Sequence, residues 1–174
     1  MLKIHCRTYQ SIDIIEKIAS LKEIDEYTDT LVIDNESCIK DLSFLRFFPN
    51  LSSLTLTRCP EITDISPIGD LHHIKRLNLA GSGSLHIYDF TPLSSLKKLT
   101  YLDLSYMQFL YDLDFLAPLL QIEELHLNFC SHLIDIKAVE HLVHMKTLHI
   151  KECPHVEESA TLFQKKILER VSSI

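Results

Sequence analysis

The side chains able to do chemistry recur at a fixed interval. Asp103, His126 and His149 follow one another at steps of 23 residues, as do Cys130 and Cys153, Asp41 and Asp64, and Asp112 and Asp135. Two imidazoles and a carboxylate form a transition-metal ligand set wherever a fold brings them together. The five cysteines are an odd count with no CxxC pair, so neither a disulfide framework nor a zinc ribbon is indicated. A nucleophilic cysteine needs an exposed, acidified thiol, and Cys59, Cys130 and Cys153 occupy a position expected to turn inward. The aspartates look like a catalytic ladder until their recurrence is noticed. A carboxylate needed once per period is better explained by hydrogen bonding to turn backbone. No glycine-rich phosphate loop, nucleophile elbow or zinc helix motif is present. The expectation is therefore a chain with no catalytic residue and no cofactor.

The interval belongs to the elements that position these groups. Leu51-Ser-Ser-Leu54-Thr-Leu56, Ile74-Lys-Arg-Leu77-Asn-Leu79, Leu99-Thr-Tyr-Leu102-Asp-Leu104, Ile122-Glu-Glu-Leu125-His-Leu127 and Met145-Lys-Thr-Leu148-His-Ile150 share the pattern LxxLxL, and Leu31-Val-Ile33 is a weaker copy. Central leucines are 23 residues apart except from Leu77 to Leu102, where the step is 25 and the extra pair falls near Gly81-Ser82-Gly83-Ser84. Eight residues after each central position comes an apolar residue (Ile39, Ile62, Leu85, Leu110, Leu133, Val156), followed by an aspartate at Asp41, Asp64, Asp112 and Asp135, with Asp89 serving in the longer repeat. Self-similarity at this period, with both halves in register, marks a solenoid.

These motifs resemble the leucine-rich-repeat family over about residues 27–156. The unit Leu54-Thr-Leu56 through Asp64-Ile65-Ser-Pro67-Ile68 is similar to the repeats of internalin-like bacterial proteins. It departs from them where they carry asparagine: Cys59, Ser82, Met107, Cys130 and Cys153 stand there, which leans toward the cysteine-containing repeats. The resemblance implies an α/β leucine-rich-repeat solenoid. Its concave side is a parallel sheet centred near Leu31, Leu54, Leu77, Leu102, Leu125 and Leu148, with a seventh strand open near Ile4. Pro67, Pro92 and Pro118 limit the convex side to short or 3₁₀ turns. One domain is expected over 1–174. Residues 1–26 form an N-terminal cap, and 157–174 a C-terminal capping helix with Ala160, Phe163, Ile167 and Val171 on its apolar face and Lys165, Lys166, Glu169 and Arg170 outward.

Alternation along a strand decides what faces a partner. The leucines point in, so the central outward column reads Val32, Thr55, Asn78, Asp103, His126, His149. The column before it reads Thr30, Ser53, Arg76, Tyr101, Glu124, Thr147. The column after it reads Asp34, Thr57, Ala80, Ser105, Asn128, Lys151. Tyr106 and Phe129 stand one above the other at the strand exits. Folding does not require aromatic or ionisable groups here, and tyrosine and arginine are enriched among interface hot spots. Arg76, Tyr101, Asp103, Tyr106, Glu124, His126, Phe129 and His149 are the expected partner-binding residues. The other histidines, among them His72, His73, His132, His141, His144 and His155, are read as solvated.

The net charge of −7 withholds the positive field that phosphate backbones need, so nucleic acid is excluded as partner and a protein with a basic patch is favoured. No run approaches the ~20 apolar residues of a membrane span, and no secretory signal opens the chain. A monomer in the reducing cytosol is expected, with signal-independent export left open. The functional expectation is a non-catalytic protein–protein recognition module using its concave face. An effector, a toxin-neutralising protein or a ubiquitin-ligase adaptor would use the same scaffold. A reading of a different class is an enzyme or metal-binding protein built on Asp103, His126 and His149.

Overall fold

Each LxL triplet places two leucines on one side of an extended backbone, and one coil cannot bury them alone. In a computed structural model, which describes residues 1–4, 28–37, 39–83 and 86–172, stacking of successive coils solves this. Seven strands, β1 (Leu2–Ile4), β2 (Thr30–Asp34), β3 (Ser53–Thr57), β4 (Arg76–Asn78), β5 (Tyr101–Asp103), β6 (Glu124–His126) and β7 (Thr147–His149), form one sheet in sequence order. Every pairing is parallel, and the central leucines align: Leu2 with Leu31, Leu31 with Leu54, and so on to Leu125 with Leu148. The strand expected near Ile4 is thus present. The rest of the expected N-terminal cap lies outside the described residues.

The core is a continuous column of these side chains. Leu31, Leu54, Leu77, Leu102 and Leu125 are fully buried, as are Leu56, Leu79, Leu104 and Leu127 beside them. Among the described residues the chain returns along the convex side through 3₁₀ turns at Ser43–Phe47, Ser66–Asp70, Thr91–Ser95, Asp114–Leu116 and Lys137–His141. Pro67 and Pro92 enter two of them in the first positions, where a missing N–H costs nothing.

The recurring aspartates hold the starts of these turns. Asp41, Asp64, Asp89, Asp112 and Asp135 each accept the backbone N–H two residues on, at 2.7–3.1 Å. Hydrogen bonds from Ser66 and from Thr91, hydroxyl first and backbone second, hold the Asp64 and Asp89 carboxyls below their ordinary range. The Lys137 backbone amide does the same for Asp135.

The position usually held by asparagine also has a repeated task. Ser82 Oγ donates to the Leu56 carbonyl, Cys130 Sγ to Leu104 and Cys153 Sγ to Leu127, at 2.6, 3.2 and 2.9 Å, each reaching back one coil. These small donors satisfy carbonyls that leave the sheet at the strand ends. Cys59, Cys130 and Cys153 are free and buried; Cys6 and Cys38 lie outside the described residues. A hydrogen bond with Cys153 and burial push the Cys130 thiol up.

The two-residue insertion is absorbed at Gly81 to Gly83. A Cβ on Gly83, at φ 56°, would lie 2.3 Å from the Ile62 carbonyl oxygen, so only glycine fits. The insertion also shifts the register of the next apolar position. Ile87, 2% exposed, fills the place in the core that corresponds to Ile62 and Leu110; Leu85 lies outside the described residues.

Helix α1 (Glu157–Val171) closes the last coil. Ala160, Phe163 and Ile167 are buried, and Gln164 Nε2 donates to the Leu148 carbonyl at 3.0 Å. Val171 does not join that buried face: it is exposed near the end of the helix. Lys165, Lys166 and Glu169 point outward as expected.

Candidate recognition surface

Parallel register converts residues one repeat apart into neighbours. Arg76 pairs with Tyr101 and Tyr101 with Glu124 across β4, β5 and β6, while Asp103 pairs with His126 and His126 with His149. The outward side chains form a connected chain over four strands. The Arg76 guanidinium lies 4.0 Å above the Tyr101 ring. Tyr101 meets His126 at a centroid distance of 5.3 Å, and His126 meets His149 at 4.2 Å. His126 Nε2 is 2.7 Å from Glu124 Oε1. Burial, then the charges of Asp103 and Glu124, raise the Tyr101 phenol, with Arg76 opposing.

Tyr106 and Phe129 make a second cluster at the strand exits. Their rings stack at 4.8 Å with an interplanar angle of 8°, and the two residues are 49% and 42% exposed. Both have left-handed backbone, at φ 68° and 61°. The conformation belongs to the position. Asn35, Arg58, Gly81 and Glu152 hold it in the other coils. Asparagine and glycine adopt it at little cost, whereas a bulky L-residue is strained there. Arg58 is compensated by a two-pronged ion pair with Asp34 in the preceding coil, which raises the guanidinium pKa.

Two expectations for this surface change. Asp103 does not join the histidines: its carboxylate accepts the Ser105 amide at 2.9 Å, a local turn bond available because Ser105 is two residues on. Glu124 takes its place, since it leaves the same strand on the same side as His126. Ser105 is buried rather than outward, with its Oγ accepting the Asn128 amide.

A third cluster was not legible from the strand columns. Tyr88, Phe109, Tyr111 and His132 form a chain of ring contacts at 4.6–6.5 Å on the returning segments. Tyr88 and Tyr111 are exposed, and Asp89, Asp112 and Asp114 join them around one shallow pocket. The spacing of 23 from Tyr88 to Tyr111 and from Phe109 to His132 was the available signal. The remaining connecting-segment histidines, His72, His73, His141, His144 and His155, are exposed as expected.

The family described as the endo-β-N-acetylglucosaminidase EndoS LRR domain matches residues 11–117, more than half of the sequence. The chain belongs to this leucine-rich-repeat family. The leucine-rich-repeat chain is similar in structure to internalin C2 from Listeria monocytogenes str. 4b F2365, with a TM-score of 0.56 and 23% identity over 73% of its own length and 55% of the internalin's. It matches the leucine-rich-repeat domain of the type III effector XopL with a TM-score of 0.49 and 16% identity, over 83% of this chain and 74% of that one. For a leucine-rich-repeat protein of Leptospira interrogans the values are 0.45 and 18%, over 71% and 43%. The chain spans about half the length of the internalins it matches. No curated protein matches it. Leucine-rich-repeat solenoids commonly mediate protein–protein interaction, through the extended concave surface that stacking creates.

Proposed function

We propose that this leucine-rich-repeat chain is a non-catalytic recognition module that binds another protein through its concave face and strand exits. The observation that carries the reading is the Tyr106–Phe129 pair. Both rings are exposed and stacked on a backbone that disfavours them. Strain at φ above zero costs on the order of 1–3 kcal/mol per residue, and neither ring returns that cost by filling the core. A pre-stacked aromatic platform recovers it on binding, because its rotamers are already fixed. Arg76, Tyr101, Glu124, His126 and His149 extend the platform along the sheet. A seven-strand face of this kind suits a standard interface of about 800 Å² per partner.

Charge supports a partner with a basic patch. Asp103 and Glu124 stand in the face and the chain as a whole carries −7, so association would be faster at low salt. The reading takes the chain as a monomer in a reducing cytosol, which suits its buried free thiols. An effector or toxin-neutralising role would use the same face on a basic target.

Affinity capture from the source cell supplies the partner, and titration calorimetry supplies the test. Tyr101→Ala and Phe129→Ala should each weaken binding by ~1–3 kcal/mol with the fold intact. Lys137→Ala, on a convex turn, should leave binding unchanged. Loss of affinity in Lys137→Ala with none in the aromatic variants would move the site to the other face.

A further inference from the structure

We propose that Glu124, His126 and His149 form a binding site for a divalent transition ion of the zinc class. One oxygen and two ring nitrogens from these side chains lie within 4.8 Å of one another. Backbone register produces this. Glu124 and His126 are two apart on β6 and leave it on the same side, while His149 pairs with His126 on β7. Bonds of about 2.0–2.1 Å to a tetrahedral ion would set the three ligand atoms roughly 3.3 Å apart. Closure therefore requires side-chain movement of up to about 1.5 Å on the sheet.

Details of the three side chains fit the ion. His126 Nε2 and Glu124 Oε1 already share a hydrogen bond of 2.7 Å, which the metal would replace by sitting between them. The two imidazoles are 4.2 Å apart by centroid, and Tyr101 packs against His126 and limits its rotamers. Arg76, a cation of the same face, is directed onto the Tyr101 ring rather than toward the site. Two nitrogens and one carboxylate select zinc-class ions over magnesium or calcium, which prefer all-oxygen shells. His149 is exposed, so a fourth position faces solvent and stays open to water or to a ligand from another molecule. The site stands on the isolated chain and is independent of the recognition reading.

The test uses the full chain freed of metal with a chelator. Titration with Zn²⁺ should show saturable one-to-one binding, and Co²⁺ should give the visible absorption of a nitrogen-containing low-coordinate site. Zn²⁺ should also raise the melting temperature, since only the folded sheet brings the three ligands together. His149→Ala and Glu124→Gln, both at accessible positions on the sheet, should weaken the tightest site by at least about tenfold, equivalent to ~1.4 kcal/mol. They should also abolish the thermal shift, with circular dichroism unchanged. His72→Ala combined with His73→Ala on the convex side should do neither. Unsaturable binding, the same affinity in His149→Ala as in the parent, or loss only in the His72 and His73 variant overturns the proposal.

Discussion

Tyr106 and Phe129 hold a left-handed backbone in which their own Cβ atoms crowd the following carbonyl. Glycine removes that crowding, worth about 1–2 kcal/mol. Removing the Tyr106 ring also gives up its stacking on Phe129, worth about 0.5–1.5 kcal/mol. The two effects oppose, so Tyr106→Gly should unfold in urea within about 1 kcal/mol of the parent. Tyr106→Val keeps the crowding, adds a branch at Cβ and loses the stacking, so it should be clearly less stable. If Gly and Val variants unfold alike, the strain is absent. The aromatic pair was visible in the sequence as a column, because the repeat period alone places Tyr106 over Phe129. Its backbone was not visible. Arg58 and Glu152 occupy the same position, and no residue type common to Asn35, Arg58, Tyr106, Phe129 and Glu152 announces a positive φ. The histidine pair was equally legible from the period. The carboxylate beside it is Glu124 rather than Asp103, since a local bond from Ser105 captures Asp103, and column arguments do not see bonds within a turn.

At the scale of the element, each 3₁₀ turn depends on one carboxylate. The Asp64 and Asp89 carboxyls sit below the ordinary range because Ser66 and Thr91 donate to their ionised forms. A depressed pKa in the folded state means that the unfolded state binds more protons in the window between the two values. Their contribution is full above the unfolded value of ~3.9 and is lost as pH falls through the lower folded value. The urea midpoint should therefore drop as pH is lowered below about 4. In a variant carrying Asp64→Asn and Asp89→Asn, midpoints measured over the same range should fall less steeply. An unchanged slope would remove these carboxylates from the acid response. This ladder was legible as soon as its recurrence was separated from catalysis. The role of Cys130, Cys153 and Ser82 as donors to the preceding coil was not, because serine and cysteine share a position without sharing hydropathy.

Across the whole molecule, stability resides in a column that every coil extends. Leu102 is fully buried between Leu77 and Leu125, so Leu102→Ala should cost ~2–5 kcal/mol by opening a cavity in a packed core. Thr55→Ala, on the outward side of β3, should cost little. Equal losses in a denaturant titration would mean that the inward and outward faces are exchanged. The parallel sheet, its register and its convex 3₁₀ turns followed from the period and the prolines. The exposure of Val171 did not, since helical spacing marks a face but not how far along the helix that face stays covered.

The step of 23 residues that holds from Leu102 onward has a consequence for how such a chain can be edited. Removal of residues 105–127 would join Leu104 to Asn128, and every downstream residue would inherit the place of its counterpart one coil earlier. Phe129 would take the position of Tyr106, Cys130 that of Met107, Leu133 that of Leu110 and Asp135 that of Asp112. Each replacement is of a kind the solenoid already accepts there. The product would be a sheet one strand and ~4.8 Å shorter, with its capping helix in place and its recognition face cut. Length and surface are therefore separable from folding in this architecture: whole periods can be gained or lost without any core position being redesigned.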